Sequence, residues 1–208
     1  MKTNEFRLRI TGQGMEDALA ATEQLGRDSG LTSKENLRLR LLAEELFGMV
    51  RSITEDIEAS YFAEAKDKSF TLRLSFNVKM THELRERLIS VSSQGKNAAA
   101  KGFMGKIKDM IAVALLPDES GASVMSGISL GVMGLGSNTS PAAQQSAATA
   151  IQWSLQKYKN EIEKDREENG ESKEAWDELE KSIVASIADE VVVSIVGSDV
   201  DITIEKAF

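Results

Sequence analysis

The stretch that decides the fold is LTSKENLRLRLLAEELFGMVRSI, residues 31–53. Its apolar residues recur at three- and four-residue spacing, which is typical of a helix with one buried face; they are Leu39, Leu42, Leu46, Val50 and Ile53. Thr32 is a candidate N-cap, and Glu35 stands three residues later, where it can complete a capping box. Glu44 lies on one flank of the apolar stripe, with Gly48 one turn later.

The composition excludes several classes of function. The 208 residues suit one large domain, or a domain with an insertion, and the net charge of −8 argues against broad affinity for nucleic acid or an anionic membrane. The absence of cysteine excludes disulfides, thiolate metal sites and cysteine nucleophiles, and the single histidine, His82, excludes any site that needs two. The first residues lack the apolar core of a signal peptide, and no apolar run approaches the ~20 residues of a membrane span, so we expect a cytoplasmic protein.

Alternating patterns predict strands on both sides of the long helix. Residues 6–10 alternate apolar and polar and end at Gly12 and Gly14, before a helix whose core face is Met15, Ala18, Leu19, Thr22 and Leu25. Residues 60–65 predict a short strand, 66–68 a turn, and 70–80 an alternating strand. The chain closes with a predicted hairpin over 191–204, with its turn at 197–199.

The middle of the chain is predicted to be helical. Two amphipathic helices are expected between residue 81 and Pro117, separated by a polar loop at 92–97. Residues 121–156 carry no charge: the first half is rich in Gly, Ser and Met, and the second, 142–155, is predicted to be helical. Residues 157–180 are densely charged and predict a solvated helical excursion broken at Gly170, with a docking stripe of Trp176, Leu179, Ile183 and Ile187.

This order predicts an α+β protein: a two-layer sandwich whose mixed or antiparallel sheet is covered by helices on one face. We expect residues 1–208 to form a single domain with a helical or lid insertion at about 117–188. The uncharged segment 121–156 is expected to close over a pocket or to form an interface, because its apolar residues would otherwise make an exposed apolar patch. A disordered surface loop is the alternative.

The succession of strand, helix, long helix with a central glutamate, hairpin, variable segment and terminal strands resembles the histidine-kinase-like ATPase superfamily, and within it the serine-protein kinases that act as anti-sigma factors. In that family the second helix carries Glu-x-x-x-Asn; the glutamate acts as base or positions the attacking water, and the asparagine binds magnesium. Glu44 occupies the glutamate position here, while Gly48 stands at the asparagine position and has no side chain to offer a metal. A close packing of backbone is one expected reason for a glycine inside a helix.

The other family motifs are altered. Asp-x-Gly-x-Gly should follow the central strand, but the sequence there reads KMTHE, residues 79–83. Glycines of a phosphate-binding box have a loose analogue in Gly127, Gly131, Gly134 and Gly136. The polar loop with Lys96 precedes a helix whose N-terminus is suited to a phosphate group.

The resemblance implies a cytoplasmic regulatory nucleotide-binding protein with impaired or lost catalysis. Its implied ligand is ATP, with little dependence on magnesium, and its partner a regulatory protein or a second copy of the chain. The candidate catalytic residue is Glu44, and the candidate nucleotide-binding residues are Gly48, Ser92, Ser93, Lys96, Asn97, Gly134 and Gly136. No metal ligand is predicted.

Three alternatives stay open at this point. Glu44 is alternatively an ordinary flank carboxylate paired with Arg40 or Arg51. The whole chain is alternatively a non-enzymatic interaction or dimerisation module on a degenerate ATPase fold. A nucleic-acid binder that uses Lys96, Lys101, Lys106 and Lys108 is the third alternative, and the acidic net charge opposes it.

Overall fold

The computed structural model describes residues 1–9, 12–51, 58–78, 151–165 and 170–208. Within them the elements in chain order are β1 (Phe6–Arg9), α1 (Met15–Asp28), α2 (Ser33–Arg51), β2 (Glu58–Lys66), β3 (Ser69–Asn77), β4 (Ile151–Ser154), α3 (Leu155–Asp165), α4 (Gly170–Lys181), α5 (Ile183–Ile187), β5 (Glu190–Val196) and β6 (Asp199–Ala207). The described strands form a six-stranded sheet in the order β1-β2-β3-β6-β5-β4. Helices together with this sheet confirm the α+β class.

The chain divides into two compact units. The first unit comprises Met1–Asn77, Glu180–Val192 and Asp201–Phe208, and the second comprises Val78–Leu179 and Val193–Val200. The first unit contains the long helix and therefore the candidate catalytic residue.

Strands β2 and β3 form an antiparallel hairpin that confirms the pattern predicted for residues 60–76. Lys66 pairs with Ser69 across a two-residue turn, where Asp67 and Lys68 both have positive φ, at 50° and 63°. Two positive φ values give the turn the twist that a tight hairpin needs. Alternate residues of this hairpin are buried on one face: Ala59, Tyr61, Ala63, Ala65, Phe70, Leu72, Leu74 and Phe76.

The neighbours of this hairpin complete the sheet of the first unit. β1 pairs antiparallel with β2, and Phe6 lies opposite Tyr61. β6 neighbours β3, and the Phe208 N–H donates to the Lys68 carbonyl at 3.0 Å while the Val78 N–H donates to the Ser198 carbonyl at 2.9 Å, so these strands also run antiparallel. Val200, Ile202 and Ile204 of β6 are buried, which confirms the alternation predicted for the closing hairpin. Its turn consists of Gly197 and Ser198, one residue shorter than predicted.

Helices α1 and α2 pack against each other, and α1 contacts β1 and β2. The predicted core face of α1 is buried as expected, and Gly26 joins it. Thr22 Oγ1 donates to the Ala18 carbonyl at 2.7 Å, so the 2.7 Å contact with Tyr61 is a hydrogen bond that the Tyr61 hydroxyl donates. Burial raises the pKa of that hydroxyl above its ordinary value. This bond fixes α1 over the buried face of β2.

The capping box predicted at the start of α2 is confirmed. The Thr32 backbone N–H and hydroxyl both donate to Glu35 Oε2 at 2.7 Å, and the Glu35 N–H donates back to Thr32 Oγ1 at 3.4 Å. Four residues of the predicted apolar stripe are buried: Leu39, Leu42, Leu46 and Val50. The fifth, Ile53, lies outside the described residues.

The capping box makes the stability of α2 depend on pH. The hydrogen bonds from the Thr32 N–H and then from its hydroxyl hold the pKa of Glu35 below its ordinary value of 4.5. This contribution is complete above the ordinary pKa and is lost as pH falls through the lowered value. We expect Glu35→Gln to melt at a lower temperature than the unmodified protein at pH 7, with the difference closing at acidic pH. A difference that is the same at pH 7 and pH 3 would contradict this.

Two predictions for the second unit are wrong. Residues 142–155 were expected to be helical, but Ile151–Ser154 is strand β4. Isoleucine and tryptophan favour strands, and the Trp153 side chain is buried with its ring 5.9 Å from that of Tyr158. The charged stretch does form helices, and α4 begins at the expected break, Gly170. The prediction that the stretch is solvated is wrong for α3, because its Tyr158 and Ile162 are buried.

The predicted stripe from Trp176 to Ile187 is also wrong, because it does not follow one helix. α4 ends at Lys181, and Ser182 caps the separate helix α5 by accepting a hydrogen bond from the Ala185 N–H at 3.3 Å. Because α5 begins as a separate helix, its buried residues do not continue the predicted stripe. Val184 and Ala185 are buried, whereas Ile183 is 44% exposed.

The remaining predictions lie outside the described residues. They concern the end of the strand beyond Val78, both helices before Pro117, His82, and the uncharged segment up to residue 150. They stay predictions.

Candidate functional site

Several residues of helix α2 stay accessible, and four of them form a strip along the helix. Its residues are Leu37, Leu41, Glu44 and Gly48, which recur at helical spacing; we call this strip the open face of α2. Leu37 and Gly48 are exposed, and Leu41 and Glu44 are half-buried. The two residues that the resemblance singles out therefore do lie together, one turn apart on an accessible surface.

The carboxylate of Glu44 is held in an ion pair. Arg40 Nε donates to Glu44 Oε1 at 2.7 Å, and Arg40 Nη1 donates to Oε1 of Glu23, on α1, at 2.7 Å. One guanidinium therefore joins a carboxylate from each helix, and we call this arrangement the Glu23–Arg40–Glu44 relay. Of the two partners considered for Glu44, Arg40 is the observed one; Arg51 instead donates to Met15 Sδ at 2.9 Å.

The relay perturbs the groups that form it. The hydrogen bond from Arg40 is the main reason that the pKa of Glu23 is lowered, with Arg27 adding a smaller effect from 3.5 Å. Bonds to Glu23 and then to Glu44 raise the pKa of Arg40. All three side chains keep between 27% and 40% of their surface exposed, so water screens the charges and each pair contributes little to stability.

The relay limits what Glu44 can do chemically. A general base needs an oxygen lone pair directed at the proton that it removes. Oxygen Oε1 of Glu44 already accepts a charge-assisted hydrogen bond from Arg40. In this arrangement Glu44 is one end of the ion-pair cluster, and one of its two carboxylate oxygens is engaged by Arg40.

Gly48 does not pack against backbone, so that expectation is wrong. A Cβ placed on Gly48 meets no heavy atom within 4 Å, and the residue is exposed. Nothing in the described part of the chain therefore requires glycine at this position, although glycine in a helix is about 1 kcal/mol less favourable than alanine.

The described residues contain no preformed metal site. Gly48 supplies no oxygen where the family motif has an amide, and nowhere in the described ranges do three or more His, Cys, Asp or Glu side chains gather as a metal site. We therefore assign no metal-dependent step to Glu44. The other predicted nucleotide-binding residues, Ser92, Ser93, Lys96, Asn97, Gly134 and Gly136, lie outside the described residues.

Glu23 was not among the residues predicted for the site. Its carboxylate lies on the flank of α1, beside the buried Thr22, as an ordinary helical surface residue would. The contact with Arg40 spans seventeen residues and arises only because α1 and α2 pack together. The one feature of the sequence that points toward this contact is the spacing of core residues in both helices, which predicts that the two helices pack together.

Comparison with known proteins identifies no relative: no family model, curated protein or solved structure matches the chain. Among the described residues, no helix is both long enough and apolar enough to cross a membrane.

Proposed function

We propose that this chain is a cytoplasmic regulatory protein of the histidine-kinase-like ATPase kind, which binds a nucleotide such as ATP and has lost catalysis. The ion pair between Glu44 and Arg40, at 2.7 Å, is the observation that carries the proposal. It leaves the residue in the catalytic position bridged to a cation, while Gly48 offers no metal ligand in the next turn. A nucleotide on the open face of α2 would therefore be held without being cleaved.

The architecture of the first unit supports this proposal. Strand β1, two packed helices and the hairpin of β2 and β3 follow one another in the order that the resemblance implies. The helices cover the buried face of the hairpin, through the contacts of Tyr61 with Thr22 and Phe47. Glu44 and Gly48 are accessible on the second helix, and a nucleotide is proposed to bind there because the resemblance implies it.

A second candidate function is a non-enzymatic interaction module. The observation in its favour is Leu37, which is 57% exposed at the start of the same open face on which Leu41 is half-buried. Exposed leucine beside a half-buried leucine suits contact with another protein better than contact with a phosphate. The partner would be a regulatory protein or a second copy of the chain.

Thermal denaturation with ATP separates the two candidates. A ligand that binds only the folded protein raises its melting temperature. At a free ligand concentration of 100 times Kd, it adds about 2.7 kcal/mol to the free energy of unfolding. We expect millimolar ATP to raise the melting temperature by the same amount in the presence of magnesium and in the presence of EDTA. We also expect the ATP to remain unhydrolysed after long incubation with the protein.

Gly48→Asn is the matched variant for this measurement. It restores an amide where the family has one, and the open space around Gly48 accommodates the side chain. We expect the ATP-induced shift of this variant to become dependent on magnesium. If ATP shifts neither protein, the nucleotide proposal fails and the interaction module remains, to be tested by sizing the protein at increasing concentration.

A further inference from the structure

The open face of α2 has a projecting leucine at one end and an empty position at the other. Leu37 is 57% exposed in the first part of the helix, and Leu41 is half-buried one turn later. Gly48 lies about three turns beyond Leu37, where a Cβ would meet no heavy atom within 4 Å. Two such surfaces fit each other when they run in opposite directions, because each leucine then reaches the space above the other glycine.

The charges beside this face have the same arrangement. Arg38 is exposed in the first half of α2, and Glu45 is half-buried in the second half. Both lie on the same side of the helix, since the interval between them is almost two turns, and they are about 10 Å apart along its axis. In the described part of the chain, neither side chain belongs to an ion pair. Each therefore has a charge that its own unit leaves unpaired.

We infer that the open face of α2 is a docking surface for a second copy of this chain, with the two α2 helices packed antiparallel about a twofold axis. A twofold interface is self-complementary, so each contact occurs twice. Leu37 of each copy packs between Glu44 and Gly48 of the other, as a knob enters a hole between facing helices, and Leu41 packs against its counterpart beside the axis. The leucines lose their exposure, and Gly48 leaves the room that Leu37 of the other copy needs.

The charges select the antiparallel direction. With Leu41 at the axis, Arg38 of each copy lies opposite Glu45 of the other, so two ion pairs form across the interface. A parallel pair would instead bring Arg38 against Arg38, and like charges in contact are unfavourable. Arg40 and Glu44, on the other edge of the face, already neutralise each other within one chain at 2.7 Å and oppose neither direction.

The length of the open face limits the strength of the pairing. From Leu37 to Gly48 the helix rises about 17 Å, so the two helices alone bury less than the roughly 1,200 Å² of a stable interface. We therefore expect a weak, reversible dimer whose population rises with protein concentration. The inference does not depend on the proposed nucleotide site, but it concerns the same surface, so a nucleotide and a second copy would exclude each other.

Sedimentation equilibrium from low micromolar to near-millimolar protein measures the association. Arg38→Glu and Glu45→Arg each create two like-charge contacts in the dimer, and we expect each to raise Kd at least about tenfold. The net charge of −8 becomes more negative in the first variant and less negative in the second, so a general charge effect would move Kd in opposite directions. Arg7→Glu is the control, because it makes the same change at an exposed residue of β1 and should leave Kd close to that of the unmodified protein.

An equimolar mixture of the two α2 variants is the sharpest measurement. One copy then carries two acidic residues at positions 38 and 45 and the other carries two basic residues, so both contacts across the heterodimer are attractive. We expect the mixture to associate at least as strongly as the unmodified protein, which also shows that both variants are folded. Leu37→Ala removes the projecting side chain without changing any charge and should raise Kd at least about tenfold.

The outcomes separate the inference from the proposed function. A protein that stays monomeric over the whole range overturns the inference, and so does a dimer that neither charge reversal weakens or a mixture that does not recover. Millimolar ATP tests the nucleotide proposal in the same samples, since a nucleotide on the open face should lower the dimer fraction of the unmodified protein. If ATP changes neither that fraction nor the melting temperature, nucleotide binding fails while the charge reversals still decide the docking surface.

Discussion

Gly14→Ala is expected to lower the free energy of unfolding by about 2–5 kcal/mol, from two separate effects. Gly14 has a φ of +79°, in the left-handed region, where a side chain is unfavourable by about 1–2 kcal/mol. A Cβ on this residue would also lie 2.7 Å from the carbonyl oxygen of Arg7, in β1. Because that oxygen belongs to the backbone, either the strand or the start of α1 must shift, which adds about 1–3 kcal/mol.

Gly30→Ala is the matched control for Gly14→Ala. Gly30 has nearly the same φ, +77°, but a Cβ there has nothing within 4 Å among the described residues. It should therefore show only the conformational effect, about 1–2 kcal/mol. Urea unfolding of both variants, followed by circular dichroism, measures the difference. Equal losses in the two variants would mean that α1 does not begin against the backbone of β1 as described.

The sequence predicted those parts of the fold in which local patterns and tertiary packing agree. β3 alternates from Phe70 to Phe76, and its apolar residues are buried with one partner strand on each side. The Thr32–Glu35 capping box is wholly local, so three residues of spacing were enough to locate the start of α2. Both features depend on residues that are close together in the chain, so they can be read from one sequence.

Other elements could not be predicted because their determinants are distant in sequence or small. The four residues of β4 follow a run rich in Ala and Gln. In the sequence, the helix propensity of that run outweighs the strand preference of Ile151 and Trp153. Pairing of β4 in the sheet reverses this balance, and that pairing cannot be read from the sequence. The break between α4 and α5 depends on one hydroxyl, that of Ser182, inside a continuous apolar stripe. A cap of this kind stabilises a helix start by about 1 kcal/mol and is easily missed beside several apolar residues.

The candidate site also contains residues that could be predicted from the sequence and one that could not. Glu44 and Gly48 could be placed on one accessible face from their spacing alone, and Arg40 was one of two expected partners because it lies four residues before Glu44. Glu23 could not be found, since the distance between α1 and α2 at that point depends on the side chains between them. Gly26, which has no side chain, faces Asn36 between the two helices, so this pair allows a close approach.

Gly26→Ala is therefore expected to destabilise the protein, by up to about 2 kcal/mol once the better helix propensity of alanine is subtracted from the cost of the clash. A Cβ on Gly26 would lie 2.0 Å from Oδ1 and 3.1 Å from Cγ of Asn36, and 3.2 Å from Leu39 Cδ2. Asn36 is 9% exposed and Leu39 is fully buried, so neither can turn away into solvent. α1 and α2 must move apart, and the distance from Glu23 to Arg40 must grow.

Gly48→Ala is the control, since it makes the same change inside a helix where a Cβ meets nothing. It should stabilise the protein by up to about 1 kcal/mol, so the two glycine substitutions are expected to have opposite signs. Asn36→Ala then tests the cause. Its Oδ1 is buried without a hydrogen-bond partner in the described structure, so removing it sacrifices no hydrogen bond there. In that background Gly26→Ala should become nearly neutral, because the atom that it would strike is absent. An undiminished loss in the double variant would place the close approach of the helices elsewhere, at Leu39, and would remove Asn36 as the residue that sets their spacing.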